Sequence, residues 1–516
     1  MIIKILMLVL FFGVMVAIGI SCRKNATDVK GFVLGGRSVG PWLTAFAYGT
    51  SYFSAVIFVG YAGQFGWKYG LSATWIGLGN AFIGSMLAWV VLGRRTRIMT
   101  QHLQSATMPE FFGQRYDSKA LKICASLIVF VFLIPYTASL YNGLSRLFSM
   151  AFNIDYTVCI ILMSILTGIY VIAGGYMATA INDFIQGIIM LFGITAVIGA
   201  VLTANGGFLA AIDALARVED AATTTTPGAF ASFFGPDPVN LLGVVILTSL
   251  GTWGLPQMVQ KFYAIKSEND IHKGTVISTI FAVIISGGCY FLGGFGRLYS
   301  GSIDIAANGF DSVIPAMISN LPELLIGLVV ILVLSASMST LSSLVIASSS
   351  TLTIDFIKGN IIKENNMDEK KQVFIIRFFI VVFIAISAII AIIQYKNNVT
   401  FIAQLMGVSW GALAGSFLAP FLYGLYSKKV SKASVWFSFA FGSLFMIANM
   451  LFRSSFPKLL QSPINAGAFA MILGLIAVPL ISTFTPKPSQ AVVDDAFKAY
   501  KAKVTVTADT ALSNDN

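Results

Sequence analysis

NLLGVVILTSLGTWGLPQMVQKF, residues 240–262, is apolar enough to enter a bilayer, yet it carries Gly251, Gly254 and Pro256 in its middle. Proline removes a backbone donor and glycine weakens a helix, so the run Gly251-Thr252-Trp253-Gly254-Leu255-Pro256 is expected to break the span at mid-depth. Unwound backbone inside a membrane must line a cavity or be sheltered by protein. An ordinary kinked helix is the alternative reading of such a break taken singly. A second run, Gly49-Thr50-Ser51, interrupts the apolar segment 41–61 in a similar way.

Composition sets the class around these breaks. The chain has 516 residues, 57% hydrophobic and 11% charged, with a mean hydropathy of +0.83. No soluble core buries that much apolar surface, and a polytopic, all-α membrane protein in the lipid bilayer is the expectation. Cys22, Cys124, Cys159 and Cys289 stand singly in apolar segments, which indicates neither a disulfide framework nor a metal site. His102 and His272 lie in charged connections. The net charge of +11 suggests nucleic acid at first sight, but its distribution points to the positive-inside rule instead, and no nucleic-acid partner is expected. No zinc-type His/Glu pairing, nucleotide loop or nucleophile elbow is present in the sequence, so an enzyme is not expected and no catalytic residue is assigned.

About thirteen spans are expected, near 2–22, 41–61, 71–93, 120–149, 156–175, 179–203, 240–262, 274–297, 322–356, 372–394, 400–426, 433–452 and 463–482. Segment 94–119 is basic through Arg94, Arg95, Arg97, Arg115 and Lys119, whereas 204–239 carries Arg217 against Asp213, Glu219, Asp220 and Asp237. Alternate loops follow the same bias, which places the basic side in the cytoplasm, the N-terminus outside and the polar tail 485–516 inside a plasma (inner) membrane. Setting aside an extra N-terminal helix and cytoplasmic loop (1–40), five spans cover 41–203 and five cover 240–426, separated by an extracellular loop, 204–239. Two C-terminal helices follow in 427–484. An odd number of helices per unit makes the two units inverted with respect to each other, and each break then falls in the first helix of its unit. Ligands are expected where the paired breaks meet.

The chemistry of a ligand site is concentrated in ILVLSASMSTLSSLVIASSST, residues 331–351. Ser339, Ser342 and Ser343 recur at i, i+3 and i+4 and share one helix face, with Thr340 beside them. A hydroxyl in hydrocarbon must face protein, water or an ion, and hard cations such as sodium ask for oxygen ligands. Close helix packing is the blander account of any single serine there. Asp183, in INDFIQGII, is an intramembrane acid and hence a functional candidate, with a helix-terminal interfacial acid as the alternative. Tyr52, Tyr136, Trp253, Gln257, Gln404 and Trp410 are neutral groups that a small solute can meet near the breaks, though each is also an ordinary packing residue.

In FVLGGRSVGP (32–41), GTSYFSA (49–55), VIAGGYMATAINDFIQG (171–187), WGLPQMVQKFYA (253–264), FDSVIPA (310–316) and SASMSTLSS (335–343), the chain resembles the sodium/solute symporters, matched in order from about residue 31 to residue 426. The resemblance implies a leucine-transporter-like 5+5 inverted repeat that moves a small-molecule solute inward with sodium by alternating access. It implies a principal sodium site formed by the carbonyls of Thr50, Phe53 and Ala336 with the hydroxyls of Ser339 and Thr340. A second sodium site is implied at Asp183, Ser339, Ser342 and Ser343. The solute is expected at Ser51, Tyr52, Tyr136, Thr252, Trp253, Gln257 and Trp410. The pieces look more like the bacterial pantothenate and proline branches than the sugar branch, although proline symporters carry an acid at Tyr52 and an aromatic at Thr252. No buried Arg or Lys is expected beside the solute, so an anionic solute would rely on backbone N–H groups or on sodium. A small monocarboxylate, pantothenate or an amino acid is the first expectation and a sugar or sialic acid the second. A sensor or channel is the alternative from a different class. The chain is expected to act as a monomer.

Overall fold

Within a bilayer core, water cannot satisfy backbone N–H and C=O groups, so long uncharged runs close their hydrogen bonds internally as helices. The computed structural model describes residues 2–501 apart from 153, 221–222, 306–308, 364–366 and 398–401; the end of the expected tail, 502–516, lies outside the described residues. Among the described residues there is no β-strand, only isolated bridges such as Val39 to Ile265. Ten helices there are long and apolar enough to cross a membrane, or eleven if a bent pair counts as one span.

The expected thirteen spans are therefore not matched one for one. Residues 156–175 and 179–203 fall in a single helical stretch, Tyr156–Ala204, of 49 residues. A straight helix of that length would measure about 74 Å against about 30 Å of hydrocarbon. Gly175 resolves the mismatch: at φ 57° and ψ −150° it is far from helical geometry, in a region that favours glycine, and it divides the stretch into two arms. Segment 71–93 likewise runs on, as a chain of short α- and π-helical pieces, from Val56 to His102.

Both expected breaks are present. The Pro41–Tyr52 helix ends at Phe53, which is extended at φ −87° and ψ 124°, and a π-helical turn begins at Val56. The interruption thus lies at Phe53-Ser54, a few residues beyond Gly49-Thr50-Ser51, which remain helical. Gly49 serves a close approach instead, since a Cβ there would sit 2.4 Å from the Phe281 ring. The second break separates Pro238–Gly254 from Pro256–Ala264 at Leu255, with a bend of 46°. Asp237 caps the first of these helices by accepting from the Asn240 N–H, and Pro256 starts the second, where its missing donor costs nothing.

Packing between the halves is reciprocal. The helix Pro41–Tyr52 packs on Glu268–Ala282, which follows the second break, while the turn Asn80–Leu87, which follows the first, packs on Pro238–Gly254. The third expected spans of the two units, in Lys119–Phe152 and Glu323–Thr351, also pack on each other. A two-fold relation between inverted units produces these pairings. The hydroxyl-rich span Glu323–Ile357 lies at the centre, with 83% of its apolar window buried in protein against 22% for Ile5–Asn25. The first helix is thus a peripheral element.

Candidate functional site at the two helix breaks

Where the chain leaves the first helix, Thr50 and Phe53 turn their carbonyls toward the hydroxyl-rich helix. Ser339 Oγ lies 3.1 Å from Thr50 O and 3.0 Å from Ala336 O. Thr340 Oγ1 lies 3.2 Å from Thr50 O, 3.3 Å from Phe53 O and 3.0 Å from Ala336 O. All five groups expected from sequence at the principal sodium site converge in one knot of oxygens, and all five residues are buried. Three carbonyls and two hydroxyls, with neither nitrogen nor sulfur among them, form a donor set suited to a hard monovalent cation. The extended Phe53 supplies the point at which backbone acceptors are spared from helix bonding.

Of the second expected set, Asp183 and Ser343 are bridged by an unexpected member, Lys261. Asp183 is fully buried within the protein. Ser343 Oγ sits 2.7 Å from Ser51 Oγ, and Ser342 donates to Ser339 O at 2.9 Å. Lys261 Nζ donates to Ser343 Oγ at 2.9 Å and stands 3.8 Å from Asp183 Oδ2. No buried Arg or Lys was expected beside the solute; Lys261 is buried one turn beyond the second break, facing Asp183 and Ser343. Lys261 follows Pro256 by little more than one helical turn, and that turn faces inward because the bend folds it against Pro41–Tyr52 and Glu323–Thr351. A lysine inside an apolar span was the available signal.

The residues expected to meet solute divide into three groups. Tyr52 and Thr252 line a closed space between the breaks together with Tyr48, Asn80, Ser85 and Ser286, none of which the sequence reading singled out. Its volume of about 10 Å³ holds no more than a single water. Trp410 and Tyr136 back this space, with ring centroids 5.7 Å between Tyr52 and Trp410 and 5.8 Å between Tyr136 and Trp410. Gln257 is buried beyond the second break with no hydrogen-bond partner for its amide. Ser51 and Trp253 are engaged elsewhere: Ser51 bonds Ser343, and the Trp253 indole donates to Ile83 O at 3.0 Å. Gln404 accepts from Arg453.

On the side of the 204–239 loop, a vestibule of about 450 Å³ is lined by residues that include Gln64, Trp67, Lys68, Asp237, Asn240 and Arg297. Arg297 is held there by Asp220 at 2.6 Å and stacks over Trp67. The basic side is closed by packed charge. Arg37 donates to Thr100 Oγ1, Thr100 O, Tyr263 O and Ser105 O, at distances between 2.6 and 3.3 Å. Burial, aided by neighbouring Arg97, lowers the pKa of Arg37 to about 10. Asp355 is bound by Thr107 at 2.6 Å and by Lys122 at 3.4 Å.

Comparison with known proteins bears on the family and the fold. The chain is 29% identical over 513 residues to the sodium/proline symporter of Staphylococcus aureus (strain JH9), covering 96% of this chain and 95% of that protein. The sequence of that symporter from strain N315 matches equally well. Among solved structures, a Na+-coupled sialic acid symporter in a substrate-bound outward-open state superposes with a TM-score of 0.72 at 17% identity, over 95% of this chain and 99% of that one. The nucleobase-cation symporter Mhp1 in a closed conformation gives 0.52 at 13%, over 90% and 97%. These likenesses establish the leucine-transporter-like fold. The model of the sodium:solute symporter family matches residues 32–442. With sodium as the coupling ion and a small solute as its cargo, the chain belongs to the sodium:solute symporter family.

Proposed function

We propose that this symporter carries a small monocarboxylate or amino-acid-like solute, such as proline or pantothenate, into the cell, with sodium held at Thr50, Phe53, Ala336, Ser339 and Thr340. The observation that carries the ion site is the convergence of these five oxygens where the first broken helix meets the hydroxyl-rich helix. Sodium there ties the two inverted units together, so its binding favours one arrangement of the broken helix over another. The closed space at Tyr52 and Thr252 must widen to admit any organic solute, which is what alternating access supplies. Aromatic rings of Tyr52, Tyr136 and Trp410 suit the apolar part of a compact solute, and Asn80, Ser286 and the free Gln257 amide suit its polar end. The relatives named sodium/proline symporters support an amino acid, while Thr252 and Tyr52 depart from the proline pattern. The fold shared with the sialic acid symporter keeps a sugar acid as the second reading. Asp183, Ser339, Ser342 and Ser343 are proposed as a second sodium site.

The repeat boundaries proposed are 41–203 and 240–426, in a monomeric transporter whose N-terminus is outside and whose tail is cytoplasmic. The vestibule on the 204–239 side is then the outer entrance. Purified protein is screened by thermal shift against amino acids, carboxylates, vitamins and sugars, with and without sodium; the cargo stabilises more strongly when sodium is present. Counterflow of the labelled hit into proteoliposomes is expected, because a carrier exchanges solute without net flux. A hit that stabilises but shows no counterflow would make the chain a sensor. An impermeant maleimide should label Asn240→Cys from outside intact cells and Gln104→Cys only after permeabilisation; the opposite pattern reverses the topology.

A further inference from the structure

Asp183 and Lys261 are both buried, and the carboxylate of Asp183 accepts no hydrogen bond among the described residues. Its partner is the Lys261 ammonium at 3.8 Å, too far for a hydrogen bond but close enough for a strong charge interaction in so dry a place. The ammonium is held from its other side by Ser343 Oγ at 2.9 Å and lies over the Tyr176 ring at 5.0 Å. Ser343 and Asp183 therefore already flank one positive charge, and that charge is covalently part of the chain. The pair is neutral. Adding sodium beside it would bury a net positive charge without a counter-ion, which the low local dielectric penalises heavily. A cation can reach Asp183 only as the lysine leaves.

We infer that Lys261 is a tethered cation that competes with sodium for Asp183 and Ser343, so that occupancy of the second site is decided by an exchange between ion and ammonium. This rests on the proposed second site. It makes Lys261 a specificity-determining residue for ion number: while the pair is formed, the chain binds sodium at the principal site alone. The competing groups are chemically matched, since each is a compact monovalent cation satisfied by one carboxylate and neighbouring hydroxyls.

The test is sodium binding to the purified full-length protein without solute, followed with radiolabelled sodium and by the sodium dependence of the thermal midpoint. Lys261→Gln keeps a hydrogen-bond partner for Ser343 and removes the charge. It should acquire a sodium-binding event whose half-saturation lies at least about tenfold below any second event in the parent. Lys261→Arg, which keeps the charge, should behave as the parent, and the gain should vanish in Lys261→Gln/Asp183→Asn. A buried carboxylate left alone is strongly destabilising, so Lys261→Gln is expected to depend on sodium for stability. A variant that folds only in sodium supports the exchange, and one that stays unfolded at saturating sodium overturns it. An unchanged sodium isotherm in Lys261→Gln, with Asp183→Asn alone weakening sodium binding, overturns the competition but leaves the second site standing. If Asp183→Asn changes sodium binding in neither background, both fall.

Discussion

Ser339 touches the carbonyls of Thr50 and Ala336 and belongs to both proposed ion sites, so its hydroxyl is the oxygen whose loss is most widely felt. Ser339→Ala should raise the sodium concentration for half-maximal uptake by about 2–10-fold, the equivalent of one hydrogen bond or weak ligand. Solute recognition should weaken only through its coupling to the ion. Initial uptake rates against sodium concentration at fixed solute read this out, and an unaltered sodium curve contradicts the assignment. Tyr52 allows a sharper separation of roles. Its hydroxyl is buried with no hydrogen-bond partner, so Tyr52→Phe removes a cost of burial and leaves stability equal or higher. If that hydroxyl awaits the solute, the apparent solute constant rises about 5–10-fold at unchanged thermal midpoint, a combination that a packing role does not produce. Ser339 was legible because the i, i+3 and i+4 spacing it shares with Ser342 and Ser343 survives in any helix, and Thr340 lies beside it. Asn80 and Ser85 on one helix and Ser286 on another were not legible, because only the reciprocal packing of the two units brings those helices together. Lys261 was missed because burial of a lysine is decided by the direction of the bend after Pro256, which no local pattern encodes.

At the scale of elements, the two breaks were legible with unequal accuracy. Proline states its position outright: the second helix begins at Pro256, and the extended residue is its neighbour Leu255. This follows from the steric conflict between a proline ring and a helical preceding residue. Glycine is ambiguous by comparison, since it serves both unwinding and close contact, and Gly49 serves contact with Phe281 while the chain unwinds later, at Phe53-Ser54. The merged stretch Tyr156–Ala204 was read as two spans because its apolar length demanded it; that one glycine would carry the division was not evident beforehand. Pro256→Ala tests whether the second break is needed as a break. It restores the missing donor and relaxes the restriction on Leu255, which favours a continuous helix. The expected result is a thermal midpoint equal to or above that of the parent together with a fall of about tenfold or more in uptake rate, because the inner half of the helix can no longer reorient independently. Retained transport with a gain in stability would show that the bend is tolerated and not used.

For the whole molecule, the asymmetry between its two faces sets the direction of the next movement. The side of the 204–239 loop holds an open vestibule, while the basic side is sealed by Arg37 and by the Asp355, Thr107 and Lys122 group. In the proposed orientation, opening inward must break the seal, and Arg37 is its most connected member: its guanidinium joins the turn before the first broken helix to Thr100 and Ser105 on one side and to Tyr263, in the second half of the second broken helix, on the other. Both broken helices are thereby locked by one residue. A charged hydrogen bond of this kind contributes about 1.5–3 kcal/mol. Arg37→Ala should therefore shift the balance toward the inward-open arrangement by about tenfold or more, whereas Arg37→Lys, lacking the planar fork, should recover only part of the closure. The measurement uses a background in which Cys22, Cys124, Cys159 and Cys289 are replaced and a single cysteine is placed at Thr252, on the wall of the central space. In inside-out vesicles, an impermeant thiol reagent should modify this cysteine about ten times faster in Arg37→Ala than in the parent. The solute, once identified, should slow the reaction in both. Equal rates in parent and variant, with the cysteine reactive after denaturation, would mean that the seal is held by the Asp355 group alone and that Arg37 only anchors its loop.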